Sequence, residues 1–202
     1  MHKPLTMPAK AFARRRRQLM RIAGDDAILI LPAAPERVRS RDTHYPYRQD
    51  SDLLYLTGFP EPEAVLVLVP GRKHGETVLF CRERDPDREG WDGPRFGTEG
   101  AVEAFGLDDA YPITDLDDIL PGLLEGRSRV YYHFGRDAEF DLQLIGWVNR
   151  VRAMMRMGAQ PQDDGDEEDE AALAEIEEFV RVATLLLHGD CVLAAEHRQR
   201  LN

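Results

Sequence analysis

The strongest constraint on this chain is a set of short, continuous apolar runs closed by proline or glycine. Ala27-Ile28-Leu29-Ile30-Leu31 ends at Pro32. It is too short for a stable helix and suits a strand buried on both faces. Ala64 to Val69 is largely β-branched and lies between Pro62 and Pro70-Gly71, which is strand punctuation. Thr77 to Cys81 follows after Lys73-His74-Gly75-Glu76, a hairpin-like connection. Arg129 to Phe134 predicts a further strand.

Helical spacing fills the intervals. Residues 8–21 read as a helix opened by Pro8, with Phe12, Leu19 and Ile22 as a sparse apolar face. Residues 98–106 and 115–125 also read as helices. Asp137 to Met155 is another, with Phe140, Leu144, Trp147, Val148 and Val151 at helical spacing. Strands interleaved with helices, hairpins included, give an α/β domain with a mixed sheet. Arg82 to Gly97 reads as a polar, Gly/Pro-rich loop, and 36–52 as a polar stretch. No internal repeat is visible.

Charge is unevenly distributed. The net charge is −11. Ten acidic residues and no basic one lie between Asp163 and Glu178, which leaves only −1 for the rest. Such a block cannot bury apolar surface and reads as a linker or disordered segment. The domain is accordingly bounded at 8–161, the acidic linker at 162–178 and a weakly helical tail at 179–202. The run Arg14–Arg17 has two readings, a basic recognition patch or the solvated face of a first helix. The short basic cluster, without interleaved aromatics, on an otherwise acidic body argues against nucleic-acid binding. No apolar run approaches the ~20 residues of a bilayer span, and no secretory h-region follows the basic N-terminus. The expected address is cytoplasmic.

The residues alone show no active site. The histidines lack the spacing of a helical metal pair, and there is no HExxH, nucleophile elbow, phosphate loop or cysteine-based zinc site. His133 reads as a packed histidine and Cys81 as a small core residue. Asp108-Asp109 and Asp117-Asp118 read as helix caps or solvent faces. Tyr45 to Phe59 is unusual in packing aromatics, charges and a terminal glycine together. It reads either as a loop whose polar groups tie down a following strand or as a subunit or domain contact, since Tyr and Arg favour interfaces. Tyr47, Arg48, Asp52 and Tyr55 are its candidate residues.

The stretch YPYRQDSDLLYLTGFPEPEAVLVL, Tyr45 to Leu68, closely resembles the N-terminal domain of the Xaa-Pro aminopeptidases (aminopeptidase P). Other pieces agree in order: Phe12, Arg15, Arg16 and Leu19 as FxxRRxxL; Ala33-Ala34-Pro35-Glu36; Val78-Leu79-Phe80 before Arg84-Asp85; and Gly90-Trp91-Asp92-Gly93-Pro94-Arg95-Phe96-Gly97. The resemblance spans about residues 10–155. It implies a mixed sheet flanked by helices, similar to the creatinase N-terminal domain, that holds no metal itself. In the family, catalysis belongs to a C-terminal pita-bread domain. There two Asp, one His and two Glu hold two metal ions, usually Mn2+, whose bridging hydroxide attacks an Xaa-Pro bond.

Three expectations follow from the resemblance. This chain carries no catalytic residue or metal ligand and is inactive alone, meeting peptide substrate only through the missing domain. Trp91, in a WxGxRxG-like loop with Arg95, stands near a neighbouring subunit's active site; the alternative is a Trp folded under its own loop. The partner is a second copy or a full-length homologue. Beyond His188, Gly189-Asp190-Cys191-Val192-Leu193 departs from the family's usual continuation. A displaced reading frame and an independent domain both give such an ending, so the alternative function is a stand-alone, non-catalytic oligomerisation or regulatory module.

Overall fold

The computed structural model describes residues 8–41 and 43–158. The acidic segment 162–178 and the tail 179–202 lie outside the described residues, as does the end of the domain assigned to residue 161.

The apolar runs become one five-stranded sheet. Its members are β1 (Ala27–Pro32), β4 (Val65–Leu68), β5 (Thr77–Cys81), β6 (Asp109–Pro112) and β7 (Arg129–Tyr131). The spatial order is β6-β5-β4-β1-β7. The three central strands run antiparallel to one another, β4 between β5 and β1, with Leu31 opposite Leu66 and Leu66 opposite Leu79. Parallel strands close both edges, β6 on β5 and β7 on β1. The sheet is therefore mixed, as the sequence predicts.

Strand alternation sends each run into two cores, because successive side chains leave opposite faces. On one face Ile28, Ile30, Val65, Val67, Val78 and Phe80 meet two helices, α5 (Leu116–Leu124) and α6 (Ala138–Gly158). Helix α5 contributes Leu116, Leu120 and Leu124; α6 contributes Phe140, Leu144, Trp147 and Val151. On the other face Leu29, Leu66, Leu68, Leu79 and Cys81 meet α1 (Ala9–Ala23), α2 (Ser51–Thr57) and α4 (Gly97–Phe105). An apolar run without polar alternation is thus explained by helices on both sides.

Four local expectations change, and one left open between two readings is decided. The stretch Tyr45–Phe59 is not wholly loop: Leu53–Thr57 lies in helix α2. Asp50 caps its start, its Oδ1 accepting from Asp52 N at 2.9 Å and Leu53 N at 3.1 Å. Gly58 ends it at φ 75°, and an added Cβ there would lie 2.8 Å from the Phe12 ring. The stretch 82–97 is not wholly loop: Asp85 and Pro86 start helix α3 (Pro86–Asp92). The polar stretch after Glu36 holds a small hairpin, β2 (Val38–Ser40) with β3 (Thr43–His44). Of the two readings of Asp108 the solvent-face one holds: it is exposed and caps no helix, and its Oδ2 accepts from Glu76 N and Thr77 N at 2.9 Å, which fixes the start of β5. His133 is exposed, not packed.

The arginine run is not one solvated face either. Arg16 is buried in α1 and donates from Nη1 to Leu56 O at 2.9 Å and from Nη2 to Gly106 O. Those carbonyls stand at the ends of α2 and α4, where helices lack internal donors. One cation therefore ties three helices together.

Candidate functional site

Two segments singled out by the sequence converge on one residue, Glu61. The first contains Tyr47, Arg48 and buried Gln49. Gln49 Oε1 accepts from Tyr47 Oη at 2.8 Å, Asp50 N at 2.8 Å and Ala34 N at 3.2 Å. Its Nε2 donates to Glu61 O at 2.7 Å. This small network fixes the entry to α2 and leaves Arg48 exposed beside it. Burial raises the Tyr47 hydroxyl pKa, reinforced by Glu36 and Asp50, so it remains a neutral donor at physiological pH.

Helix α2 then carries two candidate residues to its surface. Asp52 lies 3.8 Å from Arg136, whose guanidinium also reaches Asp50 Oδ2 at 2.6 Å. Tyr55 lies under Arg15, with the guanidinium carbon 3.9 Å from the ring centroid, and Arg15 also donates to Tyr55 O at 2.8 Å. Tyr47 and Asp52 are thus loop- and helix-structuring groups. Half-exposed Tyr55 offers a cation-backed aromatic surface.

The second segment is the α3 arm. Phe96 N donates to Glu61 Oε1 at 2.8 Å, and the Phe96 ring packs on Phe59 and Phe105. Arg95 Nη1 reaches Glu83 O at 3.4 Å, which draws the two ends of the loop together. Gly97, at φ 68°, brings the chain so close to Arg84 that a Cβ would lie 2.6 Å from its Cγ. Arg82 Nη2 stands 4.0 Å from Glu61 Oε2, and Arg84 Nε lies 3.7 Å from Glu89 Oε1. Burial raises the Glu61 pKa, opposed by the Phe96 N–H, Arg82 and Arg95.

Above this base Trp91 is 92 % exposed. The alternative of a Trp folded under its own loop does not occur. Gln49, Glu61 and Arg82 are the groups that sequence reasoning did not single out. The available signal for Glu61 was a carboxylate between Pro60 and Pro62 at the mouth of a strand.

Among the described residues no three His, Cys, Asp or Glu side chains converge to hold a metal ion. The described residues therefore do not assemble the donor set of a two-metal centre. Cys81 is buried, and burial pushes its thiol up to about 12, so it stays protonated and unreactive. No described helix is long and apolar enough to cross a membrane.

Comparison with known proteins agrees with this geometry. The family model described as aminopeptidase P, N-terminal domain, matches residues 12–132. The Xaa-Pro aminopeptidase of Escherichia coli is 41% identical over 142 residues, which are 70% of this chain and 32% of that protein. The structure of the Pseudomonas aeruginosa aminopeptidase PepP superposes with a TM-score of 0.73 at 58% identity, covering 78% of this chain and 36% of that one. A UPF0149 protein of Xanthomonas campestris is 63% identical over 54 residues, 26% of this chain and 30% of its own. The chain spans about a third of the length of the aminopeptidases it matches.

Proposed function

The chain belongs to the aminopeptidase P N-terminal domain family, and from that premise we propose that it is the assembly and substrate-access part of an Xaa-Pro aminopeptidase. The observation that carries the reading is Trp91, exposed at the tip of an arm whose base is fixed by Glu61 and Phe96. In this reading the arm reaches a neighbouring subunit and places the indole beside the peptide that subunit holds. An indole there excludes water and packs against the substrate's apolar groups, and it needs no proton chemistry of its own. The overall activity is Mn2+-dependent release of the N-terminal residue that precedes proline, carried out in the cytoplasm. The metal ligands belong to the pita-bread part of such a protein.

Two measurements test this. The purified 202-residue chain, with Mn2+ and an Xaa-Pro peptide, is expected to give no turnover; turnover free of contaminating peptidase would overturn the assignment. Mixed with a full-length Xaa-Pro aminopeptidase, the chain is expected to co-assemble, as read by native mass. In that mixed oligomer Trp91→Ala should alter the partner's kcat/KM. No change in a proven mixed oligomer would remove the cross-subunit role and leave a purely regulatory or oligomerisation module.

A further inference from the structure

Four exposed cations of α1 form one stripe. Lys10, Arg14, Arg17 and Arg21 follow the helical spacing i, i+4, i+7, i+11, which keeps them on a single face about 16 Å long. Phe12, Arg16, Met20 and Ala23 take the opposite, buried face. Helix α1 contains no acidic residue. Among the described residues none of the four cations forms an ion pair. Their neighbours in the run are engaged elsewhere, Arg15 with Tyr55 and Arg16 with the Leu56 and Gly106 carbonyls. Successive members of the stripe stand three or four residues apart, the separation at which like charges on a helix repel. Such a face gains from an anion laid along it.

The chain carries a countercharge of its own. Seven acidic residues fall within Asp163–Glu170 and ten within Asp163–Glu178, with no basic residue among them. Eight residues extend to about 27 Å, enough to run the whole stripe. The described chain ends at Gly158 in α6, which packs on the opposite face of the sheet from α1. From Gly158 to Glu178 the chain extends up to roughly 65 Å, which exceeds half the girth, about 60 Å, of a domain of this size. The acidic segment therefore reaches α1 round a sheet edge. The rival basic surface is the β2–β3 hairpin, with exposed Arg37, Arg39 and Arg41. It leaves the body at Glu36, where Glu36, Glu63, Asp117 and Asp137 line a groove that has no basic side chain. Those carboxylates repel an acidic segment from the hairpin, and nothing comparable stands in α1.

From this complementarity we propose that the chain covers its own basic helix: the acidic segment Asp163–Glu170 lies along Lys10, Arg14, Arg17 and Arg21 as a tethered countercharge. Single exposed ion pairs are weak and sensitive to salt. Tethering changes the balance, because it supplies the partner at an effective concentration on the order of mM. Carboxylates and cations within one Debye length of each other then act together. While docked, the segment relieves the like-charge repulsion along α1 and closes that face to other polyanions. An anionic partner has to displace it first, so the contact is a built-in regulatory cover. It does not rest on the Trp91 reading.

A nitroxide beside the acidic segment tests this in the full 202-residue chain. Ala171→Cys with Cys191→Ser offers one reactive thiol, since Cys81 is buried and protonated. At low salt the label should cut the amide NMR intensities of residues 10–21 while those of the hairpin keep theirs. The lost intensity should return near 1 M salt, where the Debye length falls to about 3 Å. Arg14→Glu with Arg17→Glu should abolish the loss, and the milder Arg14→Gln with Arg17→Gln should reduce it. Unchanged far-UV circular dichroism and Tm show that these variants fold. Helix α1 signals that keep their intensity at low salt, or a loss centred on the hairpin, overturn the proposal. So does loss of α1 signal in isotope-labelled chain without nitroxide when nitroxide-bearing chain is added, because a second copy would then be the occupant. Trp91→Ala should leave the α1 signal loss as it is, which keeps this test separate from that of the Trp91 role.

Discussion

Single residues carry more of this fold than their sequence context suggests. Arg16 sits in a run of four arginines, yet it alone is buried, and burial lowers its pKa while Asp108 opposes that shift. Arg16→Met keeps the aliphatic stem but leaves the Leu56 and Gly106 carbonyls without their donor. The expected loss is about 2–3 kcal/mol in urea unfolding, with the m-value unchanged. The same change at Arg14 or Arg17, both exposed, should stay within about 0.5 kcal/mol. Glu61 acts in the opposite sense. Its folded pKa lies above its unfolded value, so between the two the native state binds more protons, and stability falls as pH rises through that window. Glu61→Gln retains an acceptor for Phe96 N–H and should flatten this slope from the ordinary carboxylate range upwards. Urea midpoints across pH 4 to 7, about one pKa range either side of a carboxylate's ordinary upper limit, check it; an unchanged slope would refute the assignment.

Elements were legible where their cover was simple. The helices α1, α4, α5 and α6 and the strands β1, β4, β5 and β7 follow from apolar spacing and Gly/Pro punctuation, because each buries a face the pattern displays. Helix α2 is not legible in the sequence because Leu53–Thr57 is only a short apolar run inside a stretch that reads as loop, and such a run does not by itself declare a helix. Asp50 as cap and Gly58 as left-handed terminator decide it. Strand β6, Asp109–Pro112, is half-buried and starts at an acidic pair, so it has little apolar signature. It forms because it lies at the sheet edge, parallel to β5, with Asp109 held by Arg72 at 2.7 Å. Helix α3 buries nothing apolar and is held from below through Glu61 and Phe96. Trp91→Ala should therefore shift Tm by no more than an exposed substitution does, about 0.5 kcal/mol in stability. A larger loss would mean the indole packs on its own domain.

At the scale of the whole molecule, a sheet buried on both faces forms a rigid base for two exposed features, the Trp91 arm and the basic hairpin. Neither contributes apolar burial to the fold, so both can vary without unfolding it. The sequence by itself determined the α/β class, the strand-forming runs, the positions of four helices, the core face of α6 and, through its resemblance, the family; the face it read for α1 is only partly right, since Phe12 is buried but Ile22 is exposed. These are set locally, by side-chain periodicity and by glycine and proline. Only the tertiary structure decided that Arg16 is a buried clamp, that Gln49 and Glu61 join two distant segments, and that Trp91 stands in solvent. Those outcomes depend on which helix ends and loops meet across the sheet. Contacts between residues 16 and 106, or 61 and 96, are fixed by packing of both faces at once, and no local spacing encodes that.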